Sequence, residues 1–133
     1  MLIIKHFTGK GRGVYSDTLI REGDTVEVCP VIPLTKEEVE RCKQMLIYDY
    51  TFDWNEETGA ECLPLGFGTL YNHSPNPNIE WDTDHEHETV VFTALRDIPA
   101  GEELCHDYWP GQDIVFENGK WRLKLEERLA RVN

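Results

Sequence analysis

The sequence predicts a single, mostly β domain built from many short strands and two helices. Short β-prone runs alternate with glycine and proline turns along most of the chain, and strands do not alternate with helical segments as in a Rossmann-type fold. The length of 133 residues, with 40% hydrophobic and 11% aromatic residues, suits one compact core in an ordered globular protein.

The first quarter of the chain predicts two strands and two turns. Residues 1–6 alternate weakly between apolar and polar side chains and predict an opening strand. A glycine-rich turn over residues 8–13 separates it from a short strand over 14–16, and a second turn follows at 22–24.

A β-run over residues 26–32 leads into the first predicted helix. Because proline cannot donate to a strand ladder, Pro30 should confine this run to an edge or a bulge. The segment Thr35-Lys-Glu-Glu38 is a capping box, and it predicts a helix that runs to about Leu46.

The middle of the chain predicts a strand, a turn and a hairpin. Residues 48–54 alternate aromatic and polar side chains and predict a strand or extended segment, and residues 56–59 predict a turn. Residues 79–81 and 88–94 predict a hairpin that the acidic segment 82–87 closes.

The C-terminal part predicts the second helix. After a turn at residues 98–101, apolar side chains near the end of the chain recur at helical spacing, which predicts an amphipathic helix over 120–131. These side chains are Trp121, Leu125, Leu129 and Val132.

The formal net charge of −12 is unevenly distributed. Residues 117–133 carry a net charge of +2, whereas residues 1–116 carry −14. Such an acidic surface repels nucleic-acid phosphates and attracts cationic partners, although acidity can also serve solubility alone. We therefore expect no direct binding of nucleic acid.

The four cysteines, Cys29, Cys42, Cys62 and Cys105, lack the CxxC spacing of a zinc site and do not suggest a disulfide framework. We expect buried free thiols in a reducing compartment. The N-terminus lacks the apolar core of a signal peptide, and no apolar run reaches membrane-spanning length. The sequence thus indicates a soluble intracellular protein without a membrane partner.

Two polar motifs indicate a ligand site. Residues 66–81 place Asn72, His73 and Ser74 between two glycines and two prolines, so the backbone must bend around polar side chains. Such a stretch is typical of a binding loop. The second motif ends in a tyrosine and reads Gly101-Glu-Glu-Leu-Cys-His-Asp-Tyr108.

Three other patterns carry weaker signals. Gly11-Arg-Gly13 alone predicts a tight turn, because it lacks the longer dinucleotide fingerprint and its helix. Residues 82–88 hold enough donors for a metal, but they lie at a hairpin tip, so we expect a solvated acidic loop. His73-Ser74 lacks the strand–turn–helix context of a nucleophile elbow, which argues against a hydrolase.

Aromatic residues form a further group, at positions 48, 50, 52, 54, 108 and 109. One interpretation is that they are core residues, the usual place of such side chains. The other is an aromatic channel, which would strip water from a lysine side chain and stabilise its cation on the way to reaction.

In series, these motifs resemble the SET-domain protein lysine methyltransferases over roughly residues 3–110. The matching stretches are Gly11-Arg-Gly-Val-Tyr-Ser16, Glu22-Gly-Asp-Thr-Val26, Tyr71-Asn-His-Ser-Pro-Asn-Pro-Asn78 and Phe92-Thr-Ala-Leu-Arg-Asp-Ile-Pro-Ala-Gly-Glu-Glu-Leu-Cys-His-Asp-Tyr108. Within the family, Leu65-Gly-Phe-Gly68 and Asp49-Tyr-Thr-Phe52 are most similar to the small stand-alone SET proteins of large algal viruses. Similar minimal SET proteins occur in bacteria.

The resemblance implies a β-clip-like fold of several small curved sheets, with the C-terminal motif threaded through a loop as a pseudoknot. Residues 1–133 would form a single SET domain with its core at about 3–110. The C-terminal segment, 111–133, would contain the amphipathic helix. Asn72-His73 and Tyr108 would lie beside each other.

The resemblance also implies S-adenosyl-L-methionine-dependent methylation of a lysine in a histone tail or another basic protein, without a metal. Tyr108 would be the catalytic residue at the methyl-transfer point, and Tyr50 and Tyr71 would bind the substrate. The cofactor-binding residues would be Gly11, Arg12, Gly13, Asn72, His73, Tyr108 and Trp109, with His73 acting largely through its backbone. The alternative is a non-catalytic module that binds peptide or cofactor without turnover.

The sequence departs from the family pattern after Tyr108. Many nuclear members carry a cysteine-rich zinc motif there, and nothing after Cys105 supplies one. Residues 116–132 either close the lysine channel, with Trp109 or Trp121 packing over the cofactor, or mediate homodimerisation. The protein would act in the cytoplasm of a bacterium or, if viral, on chromatin in the host nucleus.

Overall fold

The computed structural model describes residues 1–117 and 119–123. Within them, short strands form three small sheets, which confirms the mostly β prediction. The helices are α1 (Lys36–Cys42) and a 3₁₀ helix (Leu46–Tyr50). The strands are β1 (Leu2–Phe7), β2 (Gly11–Ser16), β3 (Thr25–Leu34), β4 (Phe52–Asn55), β5 (Ala60–Pro64), β6 (Asn72–His73), β7 (Ile79–Asp84), β8 (Thr89–Ala94), β9 (Glu103–His106), β10 (Ile114–Glu117) and β11 (Lys120–Leu123).

A five-stranded antiparallel sheet, in the order β4-β5-β3-β8-β7, carries much of the core. Apolar side chains from neighbouring strands are buried together, among them Cys29, Cys62, Ile79, Val90 and Phe92. Removing this apolar surface from water is the dominant favourable contribution to folding. The predicted hairpin over residues 79–94 is confirmed, because β7 and β8 pair along their whole length.

β3 lies at the centre of this sheet, which corrects the prediction that Pro30 confines it to an edge or a bulge. Residues 25–30 pair with β8 and residues 31–34 pair with β5, so Pro30 stands where the strand changes partner. The missing N–H of proline is tolerated there because one ladder ends as the other begins. The Pro30 carbonyl still accepts a hydrogen bond from the Leu65 N–H at 2.8 Å.

A four-stranded sheet brings the two polar motifs together. Its order is β1-β2-β9-β6, and the short β6 pairs with β9 in parallel. Asn72 lies opposite Cys105 and His73 lies opposite His106. The Ser74 N–H extends this contact to the His106 carbonyl at 3.0 Å. Two segments about thirty residues apart in the chain thus meet at one crossing.

The capping box is confirmed, but the first helix is shorter than predicted. The Glu38 N–H bonds to Thr35 Oγ1 and the Thr35 N–H bonds to the Glu38 carboxylate. α1 ends at Cys42, and i→i+3 hydrogen bonds then lead through the 3₁₀ helix to Thr51. The strand predicted over 48–54 consequently begins only at Phe52. No helix among the described residues combines the length and apolarity needed to cross a membrane.

The C-terminal helix predicted over 120–131 does not begin at residue 120. β11 pairs there with β10 across a turn that contains Gly119. Phe116 and Trp121 lie opposite each other with ring centroids 5.1 Å apart, so the strand period of two governs this segment instead of helical spacing. Residues 124–131 of the prediction lie outside the described residues.

The cysteines are free, as the sequence predicts. Cys29, Cys62 and Cys105 are buried, whereas Cys42, at the end of α1, is half-buried. Burial raises the pKa of Cys62 and of Cys105 to about 12, so these thiols stay protonated near neutral pH.

Candidate active site

Asn72 is the central hydrogen-bonding residue of the crossing between β6 and β9, and it is only 4% exposed. Its Nδ2 donates to the Arg12 carbonyl at 2.9 Å and to Glu103 Oε2 at 2.7 Å. Its Oδ1 accepts from Trp121 Nε1 at 2.9 Å. One buried amide therefore joins β2, β9 and β11, and losing it would leave its partners unsatisfied.

His73 supports the neighbouring tyrosine and is not placed as a free base. Its Nδ1 accepts a hydrogen bond from the Tyr108 N–H at 3.0 Å, and Asp107 Oδ1 lies 3.6 Å from the same nitrogen. Burial lowers the pKa of His73 against the opposing effect of Asp107, so the imidazole is neutral near pH 7. The lone pair on Nδ1 is already engaged by the backbone of Tyr108.

Tyr108 presents a neutral hydroxyl that is held in one direction. This hydroxyl donates a hydrogen bond to the Tyr71 carbonyl oxygen. Burial raises the pKa of Tyr108, so the phenol keeps its proton. The rings of His106, His73 and Trp121 surround it at centroid distances of 4.7, 5.4 and 6.1 Å.

A cavity of about 480 Å³ is lined by residues of both polar motifs. Its volume lies within the range of small-molecule sites, about 300–1,000 Å³. Seven of the nine site residues that the sequence predicts are in the lining of this cavity, and Gly13 and His73 are not. Those that line it are Gly11, Arg12, Tyr50, Tyr71, Asn72, Tyr108 and Trp109.

The GxG stretch opens strand β2, and the turn that the sequence predicts over residues 8–13 ends before it. A Cβ atom on Gly13 would overlap Glu103 Oε2 and lie 2.7 Å from Asn72 Nδ2. Glycine is therefore required at this position because β2 approaches the Asn72–Glu103 hydrogen bond so closely. Gly13 supports the cavity wall from its other side.

This wall contains an ion pair that no sequence motif indicates. Lys10 Nζ lies 2.9 Å from Glu103 Oε1, and the two residues are 93 positions apart in the chain. Burial lowers the pKa of Lys10, but the hydrogen bond to Glu103 and the nearby Cys105 outweigh it and leave the pKa raised. Lys10 therefore remains a cation in the cavity lining. The second motif contains Glu103, but no local pattern marks Lys10 as its partner.

Three carboxylates line the same cavity, from Asp49, Asp53 and Glu61. Asp53 and Glu61 lie opposite each other on β4 and β5, an arrangement in which like charges repel. Thr51 Oγ1 donates to Glu61 at 2.6 Å, and Lys120 Nζ lies 3.4 Å from Asp49 Oδ2. This part of the wall therefore favours cations.

The aromatic group divides between the two interpretations that the sequence left open. Tyr50 lines the cavity and is 37% exposed. Phe52 also lines the cavity while its ring packs on Trp81 at a centroid distance of 4.9 Å. Trp54 lies outside the lining and packs on His85 at 4.4 Å. The group thus supplies both core contacts and cavity wall.

The acidic loop between β7 and β8 is exposed, as predicted, but it is shorter than predicted because residues 82–84 belong to β7. His87 Nδ1 pairs with Asp84 Oδ2 at 2.7 Å, and His85 Nε2 contacts the Trp54 carbonyl at 2.7 Å. Over residues 1–117 and 119–123, no group of three His, Cys, Asp or Glu side chains is arranged to hold a metal ion.

The sequence is similar to known histone methyltransferases. A family model for the SET domain matches residues 11–109. The Schizosaccharomyces pombe histone-lysine N-methyltransferase specific for H3 lysine 37 is 36% identical over 118 residues, which are 88% of this chain and 78% of that protein. The histone-lysine N-methyltransferase Su(var)3-9 of Drosophila melanogaster is 29% identical over all of this chain, which spans 24% of that protein.

Solved structures show the same architecture. A Plasmodium falciparum candidate histone methyltransferase superposes with a TM-score of 0.65 at 28% identity, covering 81% of this chain and 92% of its own. The SET8 protein of Cryptosporidium superposes with a TM-score of 0.66 at 30% identity, covering 80% of this chain and 56% of its own.

Proposed function

The chain belongs to the SET-domain family of protein-lysine methyltransferases, and we propose that it transfers a methyl group from S-adenosyl-L-methionine to a lysine of a histone tail or another basic protein. One observation carries this proposal. Asn72-His73 and Tyr108 come from distant segments and meet beside one cavity, where the half-buried Tyr108 hydroxyl is neutral and fixed by the Tyr71 carbonyl.

The cavity lining fits the proposed cofactor chemically. Lys10 and Arg12 are cations that suit its carboxylate, and the rings of Phe116 and Trp121 offer flat apolar surface to its base. We place Gly11, Arg12, Asn72, Tyr108 and Trp109 among its binding residues, with Gly13 and His73 supporting them. When bound, S-adenosyl-L-methionine supplies a methyl group on a cationic sulfonium sulfur. A neutral amine can attack this methyl group and displace the sulfur.

The chain's own residues would prepare the lysine. A lysine amine has a pKa of about 10.4 in water, so it must lose a proton before it can attack. A wall that includes Tyr50, Tyr71, Phe52 and Tyr108 excludes water from the amine and lowers its pKa. The Tyr108 hydroxyl, held by Tyr71, would orient the amine, so catalysis would rest on positioning and electrostatics.

The charge of the chain supports a basic substrate. Residues 1–116 carry a net charge of −14, and Asp49, Asp53 and Glu61 line the cavity. Such a surface attracts Lys- and Arg-rich segments and repels nucleic-acid phosphates, so it speeds encounter with a histone-like tail. The S. pombe relative is specific for lysine 37 of histone H3, which makes histone H3 the first substrate to assay.

The remaining parts of the proposal concern context. We propose an intracellular protein, acting in the cytoplasm of a bacterial source or in the host nucleus for a viral one. The similarity to small stand-alone viral and bacterial SET proteins is part of this proposal, and the relatives described above are eukaryotic. For residues 116–132 we propose either closure of the lysine channel or homodimerisation.

Incubation with S-adenosyl-L-methionine labelled in its methyl group tests the function directly. The substrates are a panel of purified histones and ribosomal proteins, with calorimetry of cofactor binding in parallel. We expect label on lysine, and Tyr108→Phe should lower the transfer rate about a hundredfold because one oriented hydroxyl is lost. Thermal unfolding of that variant should stay within a few degrees. Cofactor binding without any labelled protein would instead support the non-catalytic module.

A further inference from the structure

Glu27, on β3, holds the loop that leads to the methyl-transfer site. It lies outside the cavity lining, and each of its two carboxylate oxygens accepts a hydrogen bond from the loop that follows β5. The Cys29 thiol also hydrogen-bonds to this carboxylate. The Phe67 N–H donates to Oε2 at 3.0 Å, and the Tyr71 hydroxyl donates to Oε1 at 2.6 Å. One side chain therefore holds the loop between β5 and β6 at two points, near its middle and at its last residue.

The loop is shaped to approach this carboxylate closely. Gly66 has φ +65°, and a Cβ atom there would overlap Glu27 Oε2. A Cβ atom on Gly68 would lie 2.6 Å from Pro64 Cβ and 3.1 Å from Cys29 Sγ. The two glycines thus let the loop backbone lie directly on β3, where the N–H of Phe67 can reach Glu27.

Tyr71 connects this anchor to the catalytic tyrosine. Its ring is 1% exposed, its hydroxyl is bound by Glu27, and its carbonyl accepts the hydrogen bond of the Tyr108 hydroxyl. Burial and then the Glu27 contact raise the pKa of Tyr71, so its hydroxyl remains a donor. A rigid, fully buried ring with both ends fixed can transmit the position of Glu27 to the Tyr71 carbonyl.

From this chain of contacts we infer that Glu27 is a positioning residue for methyl transfer. It acts through Tyr71, whose carbonyl sets the direction of the Tyr108 hydroxyl. The inference rests on the proposed role of Tyr108 in the reaction. Because Glu27 lies outside the cavity lining, its removal should affect the rate of the chemical step and leave binding nearly unchanged.

The test is a four-variant cycle of wild type, Glu27→Gln, Tyr108→Phe and the double variant. Glutamine keeps the size of the side chain but offers only one acceptor oxygen to two donors. At saturating cofactor and histone, Glu27→Gln should lower kcat about tenfold, with KM and the cofactor Kd changed less than about twofold. In the Tyr108→Phe background the same change should alter the residual rate less than about twofold.

A second measurement does not depend on activity. In protein labelled at tyrosine Cζ, the Tyr108 resonance, assigned by its loss in Tyr108→Phe, should shift in Glu27→Gln because the hydrogen bond of its hydroxyl changes. Glu80→Gln is the matched control, because this substitution removes the same charge from an exposed position on β7. It should leave the Tyr108 resonance and kcat unchanged.

Three results would overturn the inference. The first is an equal fractional loss of rate in both Tyr108 backgrounds, which indicates a general structural role for Glu27. The second is a change confined to KM or Kd. The third is an unchanged Tyr108 resonance in Glu27→Gln. Absence of methyl transfer in the wild type would instead contradict the proposed function, and the resonance measurement would still decide whether Glu27 orients the Tyr108 hydroxyl.

Discussion

The two walls of the cavity are built differently. The inner wall consists of β6, β9 and Tyr108, and its polar side chains Asn72, His73 and His106 are each 4% exposed. The outer wall consists of the 3₁₀ helix and the β10–β11 hairpin, where Asp49 and Lys120 have exposed fractions of 44% and 37%. The inner wall is buried and hydrogen-bonded, and the outer wall meets solvent.

This difference separates two requirements of a transferase. The group that orients the reacting amine must keep its position, and hydrogen bonds in a buried environment are strong enough to hold it. The surfaces that we propose to bind peptide and cofactor are held by half-exposed contacts, which can open at small cost in free energy. We therefore expect substitutions in the inner wall to affect stability, and those in the outer wall to affect binding.

Asn72→Ala tests the inner wall most severely. It removes three hydrogen bonds, and Glu103 Oε2 and the Arg12 carbonyl lose the donor that Asn72 supplies in a buried site. We expect the free energy of unfolding to fall by about 3 kcal/mol, measured by urea denaturation. Asn76→Ala, at an exposed position of the loop that follows β6, should change this free energy by less than about 0.5 kcal/mol. Equal losses would mean that the crossing does not carry the stability.

The pH dependence of stability should reveal the same burial at His106. Burial lowers the pKa of His106 to about 3, whereas an unfolded histidine has a pKa of about 6.5. The unfolded state therefore binds the proton first, and the contribution of His106 to stability is complete above about pH 6.5 and is lost as the pH falls. Between about pH 7.5 and pH 5 this loss amounts to about 2 kcal/mol.

His106→Phe isolates that loss from the titration of the carboxylates. Phenylalanine fits among the rings of Phe52, Phe92 and Tyr108 and does not titrate. The buried Nδ1 of His106 has no hydrogen-bond partner among the described residues, so the replacement should not destabilise the protein at neutral pH. Urea denaturation at both pH values should show the wild type losing about 2 kcal/mol more than the variant. Parallel losses would contradict the burial of a neutral imidazole.

The inner wall was largely predictable from sequence, because its residues lie in contiguous motifs. Asn72-His73 follows a glycine-rich loop and Tyr108 ends a motif with its own turn, so each carries a local signal. The resemblance then placed these motifs side by side, and the contact of His73 with Tyr108 confirms it. The capping box at Thr35 was equally local and was confirmed.

The outer wall was not predictable in the same way. The spacing of Trp121 and Leu125 indicated a helix, but pairing of β11 with β10 placed Trp121 opposite Phe116 in a strand. The ion pair of Lys10 with Glu103 joins residues 93 positions apart and leaves no local pattern. Pro30 likewise reads as an edge residue until the partners of β3 are known. These features depend on tertiary pairing, which overrides local preference.

Trp121→Ala tests the outer wall. The indole donates to Asn72 Oδ1 and packs on His73, Tyr108 and Phe116 at the cavity. We expect the Kd for S-adenosyl-L-methionine, measured by calorimetry, to rise about tenfold, which is about 1.4 kcal/mol. The free energy of unfolding should fall by less than about 1 kcal/mol, because water can reach Asn72 Oδ1 once the indole is gone.

Trp54→Ala is the control for Trp121→Ala. Trp54 packs on His85 outside the cavity, so its loss removes a similar aromatic surface without touching the proposed cofactor site. Its effect should appear in the free energy of unfolding, while the cofactor Kd should stay within about twofold of wild type. A tenfold rise of Kd in both variants would show that the outer wall has no special part in cofactor binding.

Lys120→Ala should have the smallest effect, and it separates the two functions of the outer wall. The pair of Lys120 with Asp49 is half-exposed, so its loss should change the free energy of unfolding by less than about 0.5 kcal/mol. It frees Asp49 to meet a basic substrate, and at low salt the KM for a histone peptide should fall about twofold to threefold. In about 0.5 M NaCl the difference should disappear, because salt screens exposed charges.

Lys43→Ala breaks the exposed pair with Glu40 on α1 and should leave KM unchanged at both salt concentrations. A KM that falls equally in both variants would mean that net charge alone attracts the substrate. A fall confined to Lys120→Ala would assign recognition of the substrate to Asp49.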